Sequence, residues 1–439
     1  MALGTVASAN ASARFQQVST DSRELLPGSL FVALRGARQD GHDHLASVAA
    51  AGATGAVVEQ RKAIDLPQLV VSDTRVALGR MAEYWRRRLP LTLVAITGSN
   101  GKTTVKEMVA KILSQQGTTL ATSGNQNNEI GVPLTLLRAR PYHQYAVVEM
   151  GMSHAGELTR LASMGHPDIA VITNAGSAHL ENFADKNGLV QAKGEIFNGL
   201  SSDGIAVING DDPAADYWSD LAAPRNRKLF AFENSAADIR GQWQPTETGG
   251  LLKVSGDAGN WQVDLPLLGR ENGINALAAI TVGHCLGLSG EQMSEALKQC
   301  KPVAGRLQPL LTPAGARLID DSYNASPDSV RVAIDVLAQQ GGQRTLILGA
   351  MAELGTDSEA FHRDAGIAAR DAGIDRLLTV GDQSRFASEA FGEGGRHYPN
   401  QQDLLADLPL PGERDTLLVK GSRVAAMEKV VRSLMTSSE

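Results

Sequence analysis

The stretch "VAITGSNGKTTVKEMVAKIL", Val94 to Leu113, decides the fold. Leu93, Val94, Ala95 and Ile96 make a short apolar run suited to a buried parallel strand, whereas Val105, Met108, Val109, Ile112 and Leu113 recur at helical spacing. Between them runs Gly98-Ser99-Asn100-Gly101-Lys102-Thr103-Thr104. Glycines there permit positive φ and close backbone approach, so successive N–H groups converge on one anion and the helix N-terminus adds partial positive charge. The spacing is tighter than the common G-x-x-x-x-G-K-[ST], since Ile96 stands where the first glycine of that pattern falls. Lys102 is expected to reach the outer phosphates of a nucleotide, and Thr103 to ligate magnesium. A lone G-x-x-G is compatible with an empty turn; strand, Gly-Lys-Thr and helix in register favour the nucleotide.

Outward from this loop, the chain has the properties of an enzyme of several domains. Its 439 residues exceed one ordinary core. The net charge of -7 comes without the basic block that a nucleic-acid groove needs, so no nucleic-acid partner is expected. Cys285 and Cys300 lack metal-ligand spacing and read as reduced residues. No apolar run approaches the roughly 18 residues needed to span a bilayer. A cytoplasmic monomer is the expectation.

Three segments are expected, all α/β: 1–88, a small N-terminal substrate domain; 89–301, a central ATP-binding domain with a mostly parallel sheet; and 302–439, a Rossmann-like C-terminal domain. In the first, "SLFVAL" precedes the helical "HLASVAAAGATG". In the second, "YAVVEMG", "DIAVITNAG" and "GIAVING" end apolar runs at Glu149, Asn174 and Asn209, and ligands gather at such strand ends. The third alternates "ARLIDD", "RTLILGA", "RLLTVG" and "DTLLVKG" with helices, the last placing Val424, Met427, Val431 and Leu434 on one face. The stretch from Trp218 to Asp264 resists assignment.

"GSNGKTT", "VEMG", "NAGSAHLENF", "QAKGEIF", "GRENGINALAA", "AGR" and "DDSYNASPDSV" occur in an order and spacing that resemble the Mur ligases, ATP-dependent builders of the cell-wall precursor peptide. The likeness covers nearly the whole chain. Within the family, "STDSR", "DGHDHL", "GNQNNEIGVPLTLL" and "KGSRVAAMEKVV" look like the member that joins D-alanyl-D-alanine to a UDP-N-acetylmuramoyl-tripeptide. Two departures stand out: only 17 residues precede "VSTDSR", and Glu271 stands where a histidine often sits. Glu271 falls outside the residues assigned to chemistry.

The resemblance implies that a substrate carboxylate takes the γ-phosphoryl group of ATP and that the dipeptide amine attacks the resulting acyl phosphate. Such steps gather anions and call for concentrated positive charge. Lys102 and two magnesium ions supply it, with Thr103 and Glu149 as oxygen ligands of one ion, and His179 and Lys193 serving the other. Lys193 is implied to carry a carbamate formed from carbon dioxide, which requires a site that lowers its pKa. For Glu149 an exposed strand-end acid, and for Lys193 a surface lysine paired with Glu195, are the alternatives. Asn272 and Asn275 share one helix face toward adenine, and Arg306 and Asp320 are implied to reach the phosphates and ribose from the third domain. Ser22 and Arg23 are assigned to the uridine end, Asn127 and Asn128 to the muramoyl-peptide. Tyr323, Asn324, Lys420 and Arg423 are candidates for gripping the dipeptide, whose carboxylate calls for a cation. A sister ligase of the same fold and a nucleotide switch without ligase chemistry are the rival readings.

Overall fold

The computed structural model describes residues 5–6, 14–36, 39–176, 180–183, 185–223, 225–408 and 411–436. They form three sheets on three successive stretches of chain, α/β throughout. The first has five strands: Gln17–Ser19, Ser29–Val32, Gly55–Val58 and Gln68–Val70 run parallel, and Thr5–Val6 closes one edge antiparallel.

The nine-stranded central sheet is parallel around the opening motif. Thr92–Thr97 lies between Tyr145–Glu149 and Ile169–Ile172. The chain thus moves first to one side of this strand and then to the other, which leaves a crevice at the carboxyl ends. Leu93, Val94, Ala95 and Ile96 are fully buried, as parallel strands covered on both faces require. Lys102–Leu113 is helical, and the five apolar residues predicted for its inner face are buried. The stretch that resisted assignment is a helix, Ala215–Ala222, then strand Asn226–Ala231 and an antiparallel meander of Ile239–Thr246, Gly249–Gly256 and Trp261–Leu265. Its inward residues Ile239, Leu252, Val254, Val263 and Leu265 extend the central core.

The third sheet has six strands, parallel but for the edge strand Gln308–Leu311. Arg317–Asp321 and Thr416–Lys420 pair in register, with Asp321 opposite Lys420. The final helix spans Glu428–Thr436 and buries Val431 and Leu434, with Met427 buried just before it. Val424 departs from expectation: it sits in the short turn Arg423–Ala425 and is 83% exposed. The helical period does not begin until after the left-handed Ala426, so Val424 is not on the apolar stripe.

Two contacts tie the segments together. Arg86, at the end of helix Thr74–Arg86, donates from Nε to Gly165 O at 2.9 Å, from Nη1 to Leu89 O at 3.1 Å and from Nη2 to His166 O at 3.3 Å. On the other side, Leu268 belongs to the core built around Leu307, Ile319 and Val330 of the third sheet.

Candidate active site

The phosphate loop takes its shape from the neighbouring strand end. Ser99 N donates to Asn174 O and Asn100 N to Asn174 Oδ1, both at 3.0 Å. Asn100 O accepts from Thr173 Oγ1 at 2.6 Å and from Asn174 Nδ2 at 3.1 Å, while Asn209 Nδ2 holds Thr173 O at 3.0 Å. Asn174 and Asn209 therefore brace the loop. A Cβ on Gly98 (φ +149°) would lie 1.8 Å from Thr173 Oγ1, and one on Gly101 (φ +83°) 2.4 Å from Asn275 Oδ1, so glycine is required at both positions by conformation and by space.

Lys102 Nζ folds onto the carbonyls of Gly98 at 2.7 Å and Ser99 at 3.2 Å. Burial lowers its pKa, Glu149 opposes the shift and Arg306 adds to it. Thr103 Oγ1 donates to Glu149 Oε2 at 2.8 Å, and Asn127 Nδ2 to Glu149 Oε1 at 2.7 Å. Glu149 is 2% exposed, which removes the reading of a solvated strand-end acid. Lys193 is equally buried, at the end of helix Lys186–Gly194, its side chain making no hydrogen bond or ion pair among the described residues. Glu195, its alternative partner, instead accepts from Gly156 N at 2.7 Å and Thr159 N at 3.2 Å. Burial drives the Lys193 pKa far down and the charge of Lys102 lowers it further, against Asp212, so the site favours a neutral amine.

These groups border one cleft of about 720 Å³ that the third domain completes. Gly98 to Lys102, Thr104, Glu149, Lys193, Asn272 and Asn275 line it from the centre; Arg306, Tyr323, Asn324 and Lys420 line it from beyond residue 302. Ser326 Oγ stands 3.5 Å from Asn100 Oδ1 across this boundary. Arg306 lies over the Tyr323 ring at 4.4 Å. Buried Ser99 Oγ and Arg306 Nε have no partner among the described residues, as befits atoms awaiting a polar ligand.

Several expected positions fall elsewhere. Asp320 is not among the cleft residues, because its Oδ1 accepts from Ser322 N at 3.0 Å and from Ser322 Oγ at 2.6 Å. Neighbouring strand residues face opposite ways, and it is Asp321 that lines the cleft, its Oδ2 2.5 Å from Lys420 Nζ. Lys420 also donates to Asn324 O at 3.0 Å, so its charge is already engaged. Ser22 and Arg23 lie outside the cleft, Arg23 pairing with Asp21 at 2.6 Å. Arg423 is also outside, exposed, and 3.4 Å from Glu428. Asn127 and Asn128 border the cleft, yet Asn127 holds Glu149, while Asn128 Oδ1 caps the helix beginning at Gly131 with a 2.9 Å bond. His179 lies outside the described residues. Sequence reasoning missed Asp321, one residue from the position it chose. It also missed Glu271, whose departure from the family pattern was the available signal, along with Arg75 and His154, which line the cleft too.

Family models for the Mur ligase catalytic domain, the Mur ligase middle domain and the Mur ligase glutamate ligase domain match residues 14–86, 96–283 and 305–423. The chain belongs to the Mur ligase family. A UDP-N-acetylmuramoyl-tripeptide--D-alanyl-D-alanine ligase of Escherichia coli is 45% identical over 95% of this chain and 93% of its own length. A crystal structure of MurF from Acinetobacter baumannii superposes with a TM-score of 0.90 at 34% identity, covering 96% of this chain and 93% of that one. The MurF ligase of Thermotoga maritima in complex with ADP gives 0.85 at 27% identity, over 96% and 97%. As a Mur ligase, the chain has the three-domain architecture of these relatives, with an ATP-dependent family chemistry that the phosphate loop and the cleft accommodate.

Proposed function

We infer that this Mur ligase joins D-alanyl-D-alanine to a UDP-N-acetylmuramoyl-tripeptide with hydrolysis of ATP to ADP and phosphate, giving the pentapeptide precursor of peptidoglycan. The observation that carries the assignment is the 45% identity to the Escherichia coli ligase across 95% of the chain. No helix among the described residues is long and apolar enough to cross a membrane, and we place the enzyme in the cytoplasm, where its nucleotide substrates are made. The working domains are 1–88 for the UDP-sugar, 89–301 for ATP and 302–439 for closing the site.

The cleft supports a division of labour. Gly98 to Thr104 cradle the phosphates, and Lys102 and Arg306 meet the charge that spreads over the transferring phosphoryl group. Thr103 Oγ1 and Glu149 Oε2, 2.8 Å apart, are hard oxygen donors that would hold a magnesium ion beside the phosphate loop. Magnesium bound there neutralises phosphate charge and orients the leaving group. Lys193, enclosed as a neutral amine, could add carbon dioxide to form a carbamate with release of one proton, and with His179 it would then hold a second magnesium ion. Asp321, from the third domain, takes the ribose role first given to Asp320. Tyr323 and Asn324 stand on the dipeptide side, and Ser22 and Arg23 on the uridine side.

Purified enzyme given ATP, the tripeptide substrate and D-alanyl-D-alanine is expected to release phosphate only when both acceptor and dipeptide are present, with the pentapeptide product found by mass. Phosphate release that ignores the dipeptide, or a product carrying a different amino acid, overturns the assignment.

A further inference from the structure

Glu271 opens the helix Arg270–Cys285, one residue ahead of Asn272, and lines the cleft. Its Oε1 is fully enclosed and has no hydrogen-bond partner among the described residues. An unpaired buried carboxyl oxygen is costly unless a ligand completes it. Leu307 and Val332 contribute apolar surface to the cleft, and Asn272, whose Nδ2 donates to Leu268 O at 2.7 Å, supplies a polar edge. Asn275 Oδ1 abuts Gly101, so the same helix that presents Glu271 also touches the phosphate loop. A nucleotide with its phosphates on Lys102 therefore has its base directed toward this end.

We propose that Glu271 is a base-binding residue: as a carboxylic acid it donates one hydrogen bond to a ring nitrogen of adenine and accepts one from the exocyclic amino group. The proposal rests on the nucleotide site assigned above. The acid form offers both a donor and an acceptor, matching adenine, whereas the carboxylate only accepts and loses the ring-nitrogen bond. Burial pushes Glu271 up to about 8; Asp321 and Asp335, on the strand and helix packed against it, push the same way, while Lys420 and its own backbone N–H oppose them. Glu271 therefore holds its proton at neutral pH.

The test is calorimetric binding of a non-hydrolysable ATP analogue between pH 6.5 and 9, to wild type, Glu271→Gln and Glu271→Ala, each checked for a native circular-dichroism spectrum and a single cooperative melting transition at pH 7. Wild-type affinity should fall about tenfold from pH 7 to 9, because only about a tenth of Glu271 stays neutral one unit above its pKa. Glu271→Gln, an amide with its own donor and acceptor, should bind within about threefold of wild type at pH 7 and show no such fall. Purine riboside triphosphate, which lacks the amino group, should bind wild type roughly tenfold more weakly than ATP, and Glu271→Ala should bind both alike. A fall in Glu271→Gln parallel to wild type assigns the pH dependence to Lys102 and overturns the proposal, as does an undiminished preference for the amino group in Glu271→Ala. Failure of wild type to bind any nucleotide, or binding untouched by Lys102→Ala, overturns the nucleotide site itself.

Discussion

Lys193 and Glu271 are two ionisable side chains held against their ordinary charge, one a buried amine and the other a buried acid. If Lys193 works as a carbamate, Lys193→Ala removes an anionic oxygen ligand and leaves a hollow that acetate or formate can enter. Added carboxylate should restore part of the lost ligation rate; rescue by small amines alone would show that an ammonium does the work. Glu271 makes a prediction about stability. Its folded pKa of about 8 exceeds the ordinary 4.5, so between those values the folded state holds a proton that the unfolded chain has released. Its burial therefore costs increasing stability as pH rises through this window, by about 1.4 kcal/mol per unit. Denaturant unfolding should show Glu271→Gln gaining roughly 2 kcal/mol on wild type between pH 6 and pH 8. A constant difference would mean that Glu271 is not buried as an acid.

At the scale of elements, the strand-loop-helix unit around Gly98 was legible in the sequence because its parts are local: an apolar run, a glycine pair and a helical period. What the sequence did not disclose is why those glycines are obligatory, since Thr173 and Asn275 reach them from strands and helices far along the chain. Gly98→Ala should abolish nucleotide binding and cost about 2–4 kcal/mol in thermal unfolding, as the added methyl displaces Thr173 and the backbone is strained. Arg86 gives a second case, invisible to periodicity. Its guanidinium satisfies three carbonyls and approaches Asp168 at 3.3 Å. Arg86→Ala should destabilise the enzyme by about 3 kcal/mol, and Arg86→Lys should recover little of it, because an ammonium cannot reproduce the planar fork. Equal stability of Arg86→Lys and wild type would show that charge alone suffices.

For the whole molecule, the active cleft is an interdomain object. Lys102, Glu149 and Lys193 come from one domain, Arg306, Asp321 and Lys420 from another, and Leu268 carries the central chain into the third core. Ligands that contact both walls should favour the closed arrangement by their differential affinity for it. Small-angle scattering is expected to give a smaller radius of gyration with an ATP analogue and the tripeptide substrate than without them. An unchanged radius would show that this closure is already complete in the free enzyme.

By itself the sequence determined the α/β class, the strand-loop-helix unit around Gly98 and Gly101, and through its ordered motifs the family. Each of these depends on neighbours within a few residues or on a string long enough to be distinctive. Tertiary structure alone decided between Asp320 and Asp321, because strand alternation and the pairing with Thr416–Lys420 determine which carboxylate meets the cleft. It also decided that Glu195 caps a helix and leaves the Lys193 side chain without an ion pair among the described residues, and that Glu271 is enclosed instead of solvated. Burial and partners brought in from distant parts of the chain set the charge state of a side chain, and no local pattern encodes them.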